Sequence, residues 1–416
     1  MKHSRSLRLA VLATLALSAS CEPDLGEQPF LCGADGSCPD GYSCRATICE
    51  KDGSTQQVFR PLRTTWINAA EMYWFPSKGG GASLVVNDGF TQGARAMYEI
   101  HVDPSGAVAT PKLLLDLRED FPTSTAVVAL DDDNYAIVAL RFPSVDEDAQ
   151  ELTVYKVPRD LAEGDEATAT VLYTTNVPFL GGAEPAYIGA VAGGSGLDVC
   201  FVDPSEGGTL HVRRIAGGEP TRDLTLPLTS DVLPLSGDCI LWPVGEDLAV
   251  RVGLEIPLFY RIPDAAATTA DIEGPIPTAG LAVYPFADRI VSLVLDPLED
   301  NEDFSSASLV STDWTGDVVS TDDLGTYPTQ LEPHTAWGAA SQVLFAPASS
   351  ADSFSDLQVF TLDDNGVSKV ATVTRPGDDT LYSARAIAVD GTVYLGWTAT
   401  HADLMDLWIG TAKESQ

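Results

Sequence analysis

Positive charge is scarce in this chain. Lysine and arginine together number 24 against 60 aspartates and glutamates, a formal net charge of −36 at neutral pH. A surface of that sign repels nucleic-acid phosphates and anionic lipid headgroups, which excludes nucleic acid as a partner. It leaves room for a basic protein partner or a cation. Histidine is scarce too: beyond the first twenty residues only His101, His211, His334 and His401 occur. Long apolar runs are missing after Leu17, so no later segment reaches the roughly 20 residues a membrane helix needs. Recognisable catalytic motifs are also absent. No H-E-x-x-H helix, phosphate loop or EF-hand spacing is found, and Gly193-Gly194-Ser195-Gly196-Leu197 lacks the closing glycine of a nucleophile elbow. No cofactor is implied. A hydrophobic content of 44% excludes a wholly disordered chain.

What the N-terminus does have is an export pattern. Lys2, Arg5 and Arg8 precede the apolar run Leu9–Leu17, and Ser18, Ala19 and Ser20 are small. Basic, apolar and small segments in that order predict a signal peptide over 1–20. Cys21 follows directly and resembles the lipobox cysteine of bacterial lipoproteins. That family places leucine three residues before the cysteine and glycine or alanine just before it; here Ser18 and Ser20 stand there. The resemblance implies diacylglycerol on Cys21, a membrane anchor, and an outer-membrane address on the periplasmic or surface face. The alternative is an ordinary secreted soluble protein.

Cysteine arithmetic bears on the same point. Seven cysteines are present: Cys21, Cys32, Cys38, Cys44, Cys49, Cys200 and Cys239. An odd count in an exported protein asks for an explanation, and lipidation of Cys21 leaves six to pair. Residues 32–49 read CGADGSCPDGYSCRATIC, a turn-rich stretch too short to bury a core. Two disulfides are expected there, in any of three pairings; a four-cysteine zinc site is the competing reading. Cys38-Pro39, Gly41-Tyr42 and Cys44 resemble the "CPxGYxC" modules that follow the lipidated cysteine in myxobacterial-type lipoproteins, which implies an envelope protein without implying an activity. The predicted organisation is a tether or linker over 21–31, the cysteine module over 32–49, a linker over 50–56 and a large body over 57–416.

The body carries no helical periodicity. Short Val/Ile/Leu/aromatic runs alternate with Gly, Asp, Pro and Ser clusters, an all-β signature. One strand recurs: AMYEIHV near Tyr98, ELTVYKV near Tyr155, TLHVRRI near Val212, PLFYRIP near Phe259, SASLVST near Leu309, LQVFTL near Val359 and DLWIGT near Trp408. A four-stranded unit of about 50 residues predicts a β-propeller. Seven units fit the spacing, and six or eight also fit the unit boundaries. The last unit holds three strands only, so residues 56–61 (QQVFRP) are expected to supply its fourth. Cys200 and Cys239 fall on neighbouring units, which predicts a disulfide between them.

Candidate site residues follow from the propeller register. His334 and His401 sit at connections that open on one face. Arg63 and Arg385 are placed near the starts of first strands, pointing to the same funnel, where a His/Arg pocket would bind an anion or act as an acid–base pair. The rim of that face is acidic, through proline-marked loops at Pro143, Pro204, Pro297 and Pro347, which carry Asp146, Asp203, Asp296 and Asp352 among other acids, and through Asp403 and Asp406. The function that fits these observations is a non-enzymatic binding or scaffolding platform. An extracytoplasmic hydrolase or lyase with its site in the funnel is the alternative, and a calcium- or carbohydrate-binding module a further one.

Overall fold

The computed structural model describes residues 30–413, apart from interspersed stretches of which 179–187 and 229–238 are the longest; on several strands, mostly in the C-terminal third, it describes the backbone alone. Signal segment and Cys21 lie outside the described residues.

A small three-stranded sheet comes first, built from Phe30–Leu31, Tyr42–Arg45 and Ile48–Lys51. Phe30 and Leu31, placed in the tether by sequence, pair with Cys49 and Ile48 and so belong to this sheet. Two disulfides staple it, Cys32–Cys44 and Cys38–Cys49. All four thiols are consumed, so no thiolate is left for zinc, although three of the sulfurs lie within 4.8 Å of one another.

The body is a β-propeller of four-stranded antiparallel sheets. Seven such sheets follow in chain order: blade 1 (67–116), blade 2 (122–178), blade 3 (188–227), blade 4 (239–277), blade 5 (282–328), blade 6 (334–374) and blade 7 (380–413). The outermost strand of blade 7 is Gln56–Thr64, from the other end of the body. It zips onto Leu404–Lys413, so the chain itself closes the ring. In every blade the recurring hydrophobic strand is the third.

Core residues are shared between blades rather than enclosed within them. Each of seven hydrophobic clusters spans two consecutive sheets. Met72, Leu84 and Ile100 of blade 1 meet Ile387, Tyr394 and Leu407 of blade 7, the seam that joins last to first. A single sheet has two apolar faces and buries neither alone; radial stacking buries both. Between blades 3 and 4 the approach is close enough to need a glycine. A Cβ on Gly189 would stand 2.6 Å from the Cys239 carbonyl oxygen and 3.0 Å from Cys200 Sγ. The Cys200–Cys239 disulfide bridges that same seam.

Hairpin turns repeat one device. Asp103 Oδ1 accepts from the Ser105 N–H, the Ser105 hydroxyl and the Ala107 N–H. Asp313 Oδ1 accepts from the Thr315 N–H, the Thr315 hydroxyl and the Asp317 N–H. Gly106 and Gly316, at φ 87° and 97°, supply the left-handed residue each turn requires.

Two of the proline-marked loops turn out to be strand. Arg289–Leu298 runs through Pro297, and Gln342–Ser350 through Pro347. A register shift follows each proline, between Pro297 and Leu298 and between Ala348 and Ser350, which absorbs the missing N–H.

Candidate functional site

The first strands of blades 6, 7, 1, 2, 3 and 4 touch in that order, which places the first-strand edge of the blades toward the propeller axis. Ile67–Pro76 of blade 1, Ala282–Pro285 of blade 5 and Thr380–Val389 of blade 7 bring three polar side chains to this region: Tyr73, Tyr284 and Arg385. The Tyr73 hydroxyl donates to the Thr125 carbonyl oxygen at 2.8 Å, tying blade 1 to blade 2. Trp74 Nε1 donates to the Arg385 carbonyl oxygen at 3.0 Å, tying blade 1 to blade 7. Arg385 Nη1 donates to the Ala384 carbonyl oxygen at 2.8 Å. Tyr284 is buried and its hydroxyl has no hydrogen-bond partner among the described residues.

Electrostatics link these three. Burial lowers the Arg385 pKa to about 10, against smaller opposing effects of Tyr73 and Tyr284. Burial likewise raises the Tyr284 phenol, and the charge of Arg385 pulls it part of the way back. The guanidinium therefore sits in an enclosed place within electrostatic reach of two phenols on other blades. Such a set is suited to holding a hydrogen-bond acceptor or an anion.

Of the four funnel residues named from sequence, Arg385 is the one whose side chain is described. His334 opens the first strand of blade 6, and His401 closes the second strand of blade 7. In an antiparallel sheet those two ends share a face, but both side chains lie outside the described residues. Arg63 is displaced from its predicted position. It lies on the outermost strand of blade 7, opposite Asp406, because the closing strand runs on to Thr64 instead of stopping near 61. Arg63 and Arg385 thus occupy opposite edges of one sheet.

The acidic rim also needs correction. Asp406 is a strand residue with 1% of its surface exposed, and its Oδ2 lies 3.3 Å from Arg60 Nη1. Asp296 is exposed and Asp203 half-buried. The side chains of the remaining rim acids lie outside the described residues. No helix among the described residues is long and apolar enough to cross a membrane.

Sequence reasoning missed Tyr73 and Tyr284. An aromatic on a first strand was a usable signal, since MYWF and AVYP both interrupt the small residues that crowd an axis.

No family model matches this chain, and no curated protein matches it. Solved structures do. A sialidase of Trypanosoma rangeli in complex with the inhibitor DANA is 11% identical, with 85% of this chain and 55% of that chain covered and a TM-score of 0.42. An N10 neuraminidase-like protein of a bat influenza A virus is 9% identical over 84% of this chain and 97% of that chain, with a TM-score of 0.40. A protein of unknown function from Dyadobacter fermentans is 11% identical over 87% of this chain and all of that chain, with a TM-score of 0.46. This chain spans little more than half the length of the sialidase. At these scores the likeness carries no argument about activity.

Proposed function

We propose that this chain is an exported envelope protein, tethered through Cys21, whose propeller serves as a non-enzymatic binding or scaffolding platform. The fate of the cysteines carries the reading. Six of the seven pair into three disulfides, a chemistry of oxidising compartments, and Cys21 alone is left over. A lone cysteine directly after an export signal fits lipidation. The body behind it is a ring of mutually buried blades, which supports a rigid platform. Its acidic excess favours a basic protein partner.

Intact-mass measurement of the mature protein from its native membrane tests the tether. A diacylglyceryl mass on an N-terminal Cys21 is expected; cleavage elsewhere or an unmodified Cys21 would overturn it. Pull-down from envelope extracts at low and high salt tests the platform. A basic partner held at low salt and released at high salt is expected, and no partner under either condition would sink that half of the reading.

The enclosed Arg385 with Tyr284 favours a second reading, a hydrolase or lyase with its site in the funnel. Screening ester, lactone and glycan substrates against Arg385→Met decides between the two. A turnover lost in the variant supports the enzyme.

A further inference from the structure

On the face opposite His334 and His401, where blades 1 and 2 meet, a run of hydrogen bonds leads from a carboxylate to an imidazole. Ser83 Oγ donates to Asp160 Oδ1 at 3.3 Å. Ser77 Oγ and Ser83 Oγ are 2.6 Å apart. Ser77 Oγ and His101 Nδ1 are 2.9 Å apart. Each hydroxyl has one proton, which fixes the directions. Ser83 spends its proton on Asp160, so Ser77 must donate to Ser83. Ser77 is then left as an acceptor, and His101 Nδ1 must carry a hydrogen and donate to it. One assignment satisfies all three contacts, and it makes neutral His101 the Nδ1–H tautomer with a lone pair on Nε2.

The far end of the run is held firmly. Asp160 Oδ2 accepts from the Lys78 N–H at 3.2 Å and lies 3.5 Å from Arg159 Nε. The Asp160 N–H donates to Glu99 Oε1 at 3.2 Å, and the same oxygen accepts from the Tyr135 hydroxyl at 2.7 Å. Arg159 also lies over the Tyr135 ring. These contacts keep Asp160 at φ 53°, a left-handed conformation unusual for aspartate. Ser83 is fully buried, whereas His101 is half-buried. Its ring is hydrogen-bonded through Nδ1, with no bond to Nε2 among the described residues, and the residue is partly open to solvent.

A carboxylate that orients an imidazole through Nδ1–H, leaving Nε2 open, is the arrangement of a general base. Here two serine hydroxyls stand between the carboxylate and the ring. We propose that His101 is a catalytic general base at the seam of blades 1 and 2, activating water against small, activated acyl esters. Nε2 takes a proton from water as the water oxygen bonds to the acyl carbon and the carbonyl electron pair moves onto its oxygen. As that pair returns, the bond to the alcohol oxygen breaks and the imidazolium gives its proton to the departing oxygen. Nδ1–H stays on the ring throughout; Ser77, Ser83 and Asp160 are positioning residues and carry no net proton. The site lies outside the funnel and goes beyond the platform reading: it adds a hydrolytic activity to the binding surface, and its test does not depend on the pull-down.

Hydrolysis of p-nitrophenyl acetate by the full mature chain tests the proposal, with the tautomer of His101 read from its ring-nitrogen NMR shifts. We expect an Nδ1–H ring and a rate above buffer that falls about a hundredfold or more in His101→Gln, the low side of what a general base supplies. His211→Gln, which removes an imidazole held by Asp223 on another blade, should leave the rate unchanged. Ser83→Ala should lower kcat at constant KM and release the tautomer preference. Should Ser83→Ala fail to fold, as judged by near-UV circular dichroism, Asp160→Asn makes the same test. An Nε2–H ring in the wild type, or an undiminished rate in His101→Gln, overturns it.

Discussion

Phe59 pairs with Ile409 across the line where the two ends of the propeller meet, and both side chains are buried. Residues 350 positions apart in sequence thus complete one sheet, and the ring closes at blade 7 through the backbone hydrogen bonds of this strand pair. Truncating Phe59 to alanine removes a ring from a packed interior, for which about 3–5 kcal/mol is the ordinary cost. Urea unfolding of Phe59→Ala should show a lower midpoint with one cooperative transition retained. A midpoint within error of the wild type would mean the closing strand is dispensable.

The Cys200–Cys239 bridge joins blades 39 residues apart in sequence. Chain-entropy arguments give a cross-link of that span about 2–4 kcal/mol, through the unfolded state. The double variant Cys200→Ala/Cys239→Ala should lose that much in urea unfolding under non-reducing conditions. Gly189→Ala offers an independent check on the same seam, because its added methyl group meets the backbone of blade 4. Equal stability of that variant and the wild type would mean the blades can separate there at no cost.

Much of this architecture is legible in sequence because it is local. The third strands announce themselves by alternation, and every motif from AMYEIHV to DLWIGT is the third strand of its blade. QQVFRP reads as the closing strand for the plain reason that the last unit lacks one. What misleads is proline. Pro297 and Pro347 read as loop markers, yet each sits within a strand beside a register shift, a remedy that no local pattern reveals. Arg63 was misplaced by the same kind of error, a strand end set three residues short. The Ser77–Ser83–His101–Asp160 run was out of reach altogether, since Asp160 arrives from the next blade and no spacing within blade 1 predicts it.

Acid should reveal the Asp223 site. Burial disfavours its charge, but hydrogen bonds from His211 and Arg213 outweigh that, and its pKa lies below the usual aspartate value. A group depressed on folding contributes stability above its unfolded pKa, near 3.9, and loses it as pH falls through the folded value. Urea midpoints between about pH 5 and pH 2 should therefore drop more steeply for the wild type than for Asp223→Asn, with the two curves converging at the acid end. Parallel curves would remove Asp223 from the acid response.

A buried charge network between blades 3 and 4 makes the sharpest stability prediction. Asp198 has no exposed surface. Its carboxylate accepts from Arg214 Nε at 3.0 Å, Arg214 Nη2 at 2.9 Å and Arg222 Nη2 at 3.2 Å. Arg214 reaches on to Asp264 Oδ1 at 2.7 Å, and Arg222 Nη1 donates to the Asp264 carbonyl oxygen at 3.0 Å. Removing Asp198 leaves two guanidinium groups against a vacated, desolvated position. Breaking a buried pair from one side costs about 3–5 kcal/mol, well above the worth of a surface pair. Asp198→Ala should lower the urea midpoint accordingly, and the loss should change little between low salt and 0.5 M salt because the pair is screened by protein rather than by ions. Asp264→Ala removes only the exposed partner and should cost about 1 kcal/mol or less, with a clear salt dependence. If both variants lose the same small amount and respond alike to salt, water reaches Asp198 and the network is a surface feature.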